Sequence, residues 1–213
     1  MLYKETVPLS TLELLNRLMQ IDYLTDFILV GGTALALQLG HRKSVDIDLF
    51  SQNFFDSKRL SEHLQKDMNL QLDFIEKNTI KGEINGIKTD FITHAYSLVQ
   101  PPLIADNIRM ADKPDIAAMK LNAVSGNGTR LKDFIDIAYL SSSLSLKQML
   151  DAYGEKYKVQ NPVIPLKALA YYNDINFKEP VHLTRGKLNW NKIKDRIGEM
   201  IQFPEKIFPG KLY

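Results

Sequence analysis

Residues 27–51 read FILVGGTALALQLGHRKSVDIDLFS, and the fold is decided in this stretch. Phe27 to Val30 is a short apolar run of β-forming residues, stopped by Gly31-Gly32. Ala34 to Leu39 holds strong helix formers and is bounded by Gly40, which predicts a short helix. Val45 to Phe50 then reads as a second strand. Alternation along a strand sends Asp46 and Asp48 to one face and Val45, Ile47 and Leu49 to the other. Two carboxylates held that close repel, and one pKa rises unless a cation lies between them. Mg²⁺, which takes oxygen ligands and keeps positions open for substrate phosphates, meets the description.

The glycines supply the second half of a phosphoryl-transfer site. Gly31 and Gly32 let backbone N–H groups come close to a ligand, and Thr33 opens a helix whose N-terminus favours phosphate. A triphosphate is expected between that bend and the metal. A D-x-D pair alone is a weak signal, because most such pairs are solvent-facing strand positions. Its place shortly after Gly-Gly-Thr makes it informative. The combination GGT…HRKSVDID resembles the signature of polymerase-β-type nucleotidyltransferases. More narrowly, the chain resembles the AbiEii/AbiGii toxin family, whose members carry GG[ST]xxAL and then HRxSxDIDLF. The resemblance implies an α+β fold, with a polymerase-β-like nucleotidyltransferase core of a small mixed sheet and flanking helices, followed by a helical C-terminal region.

Composition narrows the alternatives. The 213 residues suit one large domain or two small ones, and 45% apolar residues are enough to fill a core. Cysteine is absent, so there is no disulfide framework, thiolate metal site or cysteine nucleophile. The four histidines are scattered, which argues against zinc. Neither a signal peptide nor a membrane-spanning run is recognisable, so the expectation is a cytoplasmic protein without a membrane partner. A net charge of +2 neither demands nor excludes nucleic acid.

Residues 9–24 follow a helical period with Leu12, Leu15, Leu18 and Met19 on one face and Ser10 or Thr11 as cap. Phe54 to Asp67 reads as a further helix. Three β-prone runs follow, at 70–76, 80–84 and 87–96, with Asn85-Gly86 as a hairpin turn between the last two. Asp90 stands among Ile87, Phe91 and Ile92. In isolation it is an ordinary polar position on an edge strand. Through the resemblance it becomes the third acidic residue, completing the metal shell and helping to deprotonate an attacking hydroxyl.

Pro101-Pro102 is the candidate boundary between a nucleotidyltransferase core, residues 1–100, and a helical region, residues 101–213, that completes the site and binds the acceptor. Asp112-Lys113-Pro114-Asp115 signals a helix start, and Gly126-Asn127-Gly128 ends that helix. Lys120 falls on its semi-apolar face, where a lysine snorkels or meets an anion. The next helix, 129–141, is expected to bury Leu131, Phe134, Ile135 and Ala138, leaving Lys132, Asp133 and Asp136 on its opposite side as surface charges.

The resemblance changes the reading of those charges. AbiEii-type sequences carry DIxAxKxxA, a loop with arginine, and then KDxxD; this chain has DIAAMKLNA, Arg130 and KDFID. It implies that Lys120 contacts the triphosphate and that Asp133 or Asp136 holds the site or steers the base. His41 and Arg42 match the family pattern too. His41 is either a structural hydrogen-bonder or a catalyst, and Arg42 pairs with a phosphate or with Asp46 or Asp48. His63 and His94 read as structural. Tyr153, Tyr157, Tyr171 and Tyr172 with Lys156, Lys158 and Lys167 form either a basic aromatic surface for RNA or the margins of amphipathic helices.

The implied activity is Mg²⁺-dependent transfer of NMP from an NTP to an RNA acceptor, tRNA among them, or to a protein. The implied setting is a toxin–antitoxin or phage-defence pair with a cognate antitoxin. The alternatives are a small-molecule, antibiotic-type nucleotidyltransferase and a non-catalytic module that binds NTP or a partner.

Overall fold

The computed structural model describes residues 1–159, 161–210 and Leu212. Helix α1, Leu9–Met19, follows Pro8, which occupies the N-cap position without a side-chain cap. Neither Ser10 nor Thr11 caps it: Thr11 is buried inside the helix. Strand β1 is Ile28–Leu29, helix α2 is Gly31–Leu39 and strand β2 is Ile47–Ser51. The expected glycine turn is therefore compressed into the first residues of α2. The second strand starts at Ile47, leaving Asp46 in the connection before it. Helix α3, Ser57–Met68, is capped by Asp56, whose side chain accepts from the Arg59 N–H. Strands β3, Gln71–Glu76, β4, Thr79–Ile84, and β5, Ile87–Thr93, follow. At the β4–β5 turn Asn85 and Gly86 have φ of 54° and 75°, the left-handed pair that a two-residue hairpin requires.

The sheet does not end at Pro101-Pro102. Strands β6, Leu103–Ala105, and β7, Ile108–Met110, come after the prolines, and β7 pairs in parallel with β1. Among the described residues seven strands form one sheet, in the order β3-β4-β5-β2-β1-β7-β6. The prolines mark a detour in the chain, and the sheet continues for two three-residue strands too short to show a period. The parallel β2–β5 pair lies at the centre and sets Asp48 against Asp90. Ile47, Leu49 and Phe91 are buried on the opposite face, in the core.

Helix α4, Lys113–Gly126, begins at the expected Asp112 cap and is buried on most sides. It packs against α5, Leu131–Leu140, and α6, Leu146–Tyr157. Buried Asp115 ties α4 to α6 through the Lys156 ammonium at 2.8 Å and accepts the Val99 and Gln100 N–H groups at 3.0 Å. Two further helices, α7, Val163–Leu169, and α8, Trp190–Gln202, complete the chain. No helix among the described residues is long and apolar enough to cross a membrane.

The expected solvated face of α5 is wrong. Asp133 and Asp136 are 1% and 0% exposed, and Lys132 pairs with Glu179 at 2.9 Å instead of with Asp136. One Asp136 oxygen accepts from Arg42 Nε at 2.6 Å and His41 Nε2 at 2.8 Å. The other accepts from an Arg42 terminal nitrogen at 2.9 Å and meets Lys120 Nζ at 2.7 Å. One carboxylate thereby joins the α2–β2 connection to α4 and α5. Burial opposes its ionisation, yet Arg42 and Lys120 outweigh burial and hold the Asp136 carboxyl well below the usual range. Its stabilising effect is accordingly present above the ordinary carboxylate pKa of about 4 and fades only as pH falls through the depressed value. Replacing Asp136 by Asn leaves two buried cations short of their counter-charge, a loss of about 3–5 kcal/mol at neutral pH. Denaturant melts of Asp136→Asn check this, and a change under about 1 kcal/mol contradicts it.

Candidate active site

Strand alternation decides which side chains leave the core face. In β2, Ile47, Leu49 and Ser51 turn inward while Asp48 and Phe50 turn toward a cavity of about 840 Å³. In β5, Lys88, Asp90 and Ile92 share that cavity. Parallel neighbours in register point the same way, so Asp48 and Asp90 stand side by side. Asp46 lines the cavity as well, from the connection before β2. The start of α2, Lys120 of α4, and Arg130 and Asp133 at the start of α5 form further walls.

The two glycines at the start of α2 serve the neighbouring side chains. Gly31 has φ of 70°, and a Cβ there would lie 2.6 Å from an Asp48 oxygen. A Cβ on Gly32 would collide with the Arg42 guanidinium. Any larger residue at these positions drives Asp48 or Arg42 out of place. Thr33 is buried, and its hydroxyl donates to the Asp46 carbonyl while accepting from the Ser44 hydroxyl. Its side chain thus fastens the segment leading to Asp46.

The acids carry the electrostatic strain of the site. Burial pushes the Asp48 carboxyl up from its ordinary value, and the neighbouring Asp90 adds to the rise, against the pull of Lys120. Asp90 is raised too, by burial first, with Lys88 and Lys81 acting in the opposite direction. One Asp90 oxygen, Oδ1, is buried and has no hydrogen-bond partner among the described residues. No three His, Asp or Glu groups among those residues already close into a metal cage. A Mg²⁺ site of the substrate-assisted kind needs only one or two carboxylates, with phosphates and water completing the shell. Asp48 and Asp90 fit that donor set, and the orphaned Asp90 oxygen is the atom that has a ligand to gain.

The basic residues divide into two groups. Arg42 lines the cavity, but its guanidinium pairs with Asp136, which corrects the expectation that it pairs with Asp46 or Asp48. Asp136 sits behind the cavity wall, so of the two aspartates left open by the sequence only Asp133 reaches the cavity. Lys120 Nζ meets Asp133 at 2.6 Å and Asp136 at 2.7 Å. An ammonium carries three donors, and these carboxylates take two of them. His41 is the structural hydrogen-bonder of its two readings: it is buried, bound to Asp136, and absent from this cavity. Arg130, the loop arginine of the family pattern, lines the cavity, as do Lys81 and Lys88, which the sequence did not single out. The hairpin register held the missing signal, since pairing Ile84 with Ile87 across Asn85-Gly86 puts Lys81 opposite Asp90.

At the other end of the cavity stand Phe50, Ile92, His94 and Tyr157. His94 packs against Phe50, Tyr96 and Tyr157 with ring centroids 5.5, 4.8 and 5.9 Å away. Burial pushes its pKa down to about 4, so its ring is neutral at physiological pH. Of the two readings of the C-terminal tyrosines and lysines, the structure favours helix margins, because Tyr153 and Lys156 are buried and Tyr172 packs against Phe134 and Trp190.

Comparisons with known proteins agree with this architecture. The family model described as "Nucleotidyl transferase AbiEii toxin, Type IV TA system" matches residues 13–99 and 71–202. A protein of Aquifex aeolicus (strain VF5), described as uncharacterized protein aq_aa25, is 32% identical over 168 residues, 76% of this chain and 81% of that protein. Among solved structures, a putative nucleotidyltransferase from H. pylori superposes with a TM-score of 0.56 at 16% identity, covering 93% of this chain and 96% of its own. JHP933 from Helicobacter pylori does so with a TM-score of 0.55, also at 16% identity, over 93% of each chain. The last two share the fold. With the family model spanning most of its length, the chain belongs to the AbiEii family of nucleotidyltransferases.

Proposed function

We propose that the cavity transfers a nucleoside monophosphate from an NTP to an acceptor hydroxyl with the help of Mg²⁺. The observation that carries this reading is the in-register placement of Asp48 and Asp90 beside the start of α2. Asp48 and Asp90 would hold the metal, with Asp46 at the rim. When bound, Mg²⁺ would neutralise phosphate charge and orient the triphosphate.

The protein's own groups do the rest. The N–H groups opening α2 and the ammonium of Lys120 bind the β- and γ-phosphates. Asp133 orients that ammonium. Arg130, Lys81 and Lys88 draw polyanions to the mouth, and the His94 and Tyr157 rings offer an apolar surface on which a nucleobase can stack. Asp90, which faces the cavity, takes the proton from the acceptor hydroxyl. The acceptor oxygen attacks the α-phosphorus, the bond from that phosphorus to the β-bridging oxygen breaks, and pyrophosphate leaves.

The basic rim favours a polyanionic acceptor, and an RNA end, that of a tRNA included, is the reading adopted. The type IV toxin–antitoxin description of the family supports a toxin role with a cognate antitoxin protein. Incubation with α-labelled NTPs, Mg²⁺ and total RNA or protein tests the activity. Labelled RNA is expected from the wild type, with a loss of about 10²–10⁴-fold in Asp90→Asn and none detected with EDTA or Asp48→Asn. Equal labelling by wild type and Asp48→Asn contradicts the assignment. Labelling of protein alone would move the acceptor, and labelling of neither would leave a binding module.

A second consequence concerns stability. Asp48 has a raised pKa, so the folded protein holds its proton more tightly than the unfolded chain. In the metal-free protein this group stabilises below the ordinary carboxylate pKa of about 4 and loses that contribution as pH rises through its folded value. Asp48→Asn removes the penalty, and in EDTA its Tm is expected above the wild type's at neutral pH and level with it near pH 4. A lower Tm for the variant at neutral pH contradicts the account of a buried carboxyl made costlier by the neighbouring Asp90.

A further inference from the structure

On the other side of the Asp136 cluster lies a second cavity, of about 530 Å³, bordered by Gln38, His41, Lys113, Ser143 and Arg185. Several of its walls are chemically unfinished. Gln38 donates its amide nitrogen to the Ala111 carbonyl at 2.9 Å, which fixes the amide orientation and leaves Oε1 as a bare acceptor. That oxygen is buried and has no hydrogen-bond partner among the described residues. His41, 4% exposed, turns Nε2 to the Asp136 carboxylate, so the ring proton resides there. Burial pushes the His41 pKa down, and the neutral ring then presents Nδ1 as a second acceptor, also buried and unpartnered among the described residues. Leaving such atoms unmatched is unfavourable, and a ligand that supplies donors relieves it.

The same cavity carries cations. Lys113 and Arg185 line it, and neither side chain has a partner among the described residues. Glu5 adds one carboxylate, a further acceptor. The surroundings thus ask for a molecule that brings N–H donors to one region and an anionic group to another. The volume falls within the range of small-ligand pockets, about 300–1,000 Å³.

We propose that this cavity is a second ligand site, separate from the catalytic one, for a mononucleotide-sized molecule that offers N–H donors to Gln38 and His41 and a phosphate to Lys113 and Arg185. The segment around residue 183 divides the two cavities. Pro180 and His182 border the catalytic one, while Thr184 and Arg185 border this one. Between them the backbone is stitched to the α2–β2 connection, with Lys43 N–H donating to the His182 carbonyl at 2.7 Å and Thr184 N–H to the His41 carbonyl at 3.1 Å. The site stands whether or not nucleotidyl transfer is as proposed above, because binding here needs none of the catalytic acids.

Calorimetric titration of AMP, GMP, CMP, UMP and inorganic phosphate tests it, with EDTA present to suppress catalytic binding. At least one mononucleotide is expected to bind one-to-one with a Kd below about 1 mM. Arg185→Glu, at an exposed position, and Ser143→Tyr, which fills the cavity, are each expected to weaken it about tenfold or more. Arg130→Glu, at the catalytic mouth, is expected to leave it unchanged. Absence of binding by all four mononucleotides overturns the proposal. So does loss in Arg130→Glu with retention in Arg185→Glu, and so does inorganic phosphate binding as tightly as the mononucleotides, since then no donors are read. The Arg185→Glu comparison decides the matter even where Ser143→Tyr fails to fold.

Discussion

Everything about the catalytic face follows from one constraint, the parallel register that places Asp48 of β2 beside Asp90 of β5. A hydrophobic face on the other side of both strands fixes that register, because a slip of one residue would send Ile47, Leu49 and Phe91 into the cavity. The core therefore compels two carboxylates to share a partly dehydrated spot. In the absence of a counter-ion the arrangement is unfavourable: burial raises the pKa of both groups, and Asp90 adds to the rise at Asp48. The packing energy of the sheet maintains it, which is how proteins commonly hold functional groups in positions they would otherwise leave.

Cations on the flanking helices and on strands β4 and β5 answer that concentration of negative charge. Lys120 and Arg130 lower the Asp48 pKa, and Lys81 and Lys88 lower that of Asp90. Lys120 can sit there only because Asp133 and Asp136 make a buried ammonium tolerable. Asp136 draws Arg42 and His41 into the same cluster, and Arg42 in turn requires the missing side chain at Gly32. A chain of charge compensation thus runs from the cavity floor to the wall of the second cavity, where His41 has one nitrogen left over.

The sequence made the short-range part of this legible. The alternation of Asp48 with Ile47 and Leu49, the Asn85-Gly86 turn and the Asp112 start of α4 are local signals, and each appears in the structure as its neighbours dictate. The hairpin even contained the Lys81–Asp90 pairing, which needed only the register to be counted through the turn. What failed was long-range. Asp136 read as a solvated charge because nothing within a helix's length shows that Arg42 and His41, more than 90 residues earlier, will fold back on it, and Asp133 read as one because its partner Lys120 lies on the preceding helix. Lys156 read as a surface cation because its partner Asp115 lies 41 positions away. Strands β6 and β7 were too short for periodicity to register, and Pro101-Pro102 before them looked like the end of the sheet.

The most direct measurement is a crystal structure with Mn²⁺ and a non-hydrolysable NTP analogue, using anomalous scattering to locate the ion. The account requires the peak between Asp48 and Asp90, about 2.1 Å from an oxygen of each, with the analogue's phosphates completing the shell toward the start of α2. A peak elsewhere in the protein, or an ion held by the phosphates alone while Asp48 and Asp90 stay uncoordinated, would contradict it.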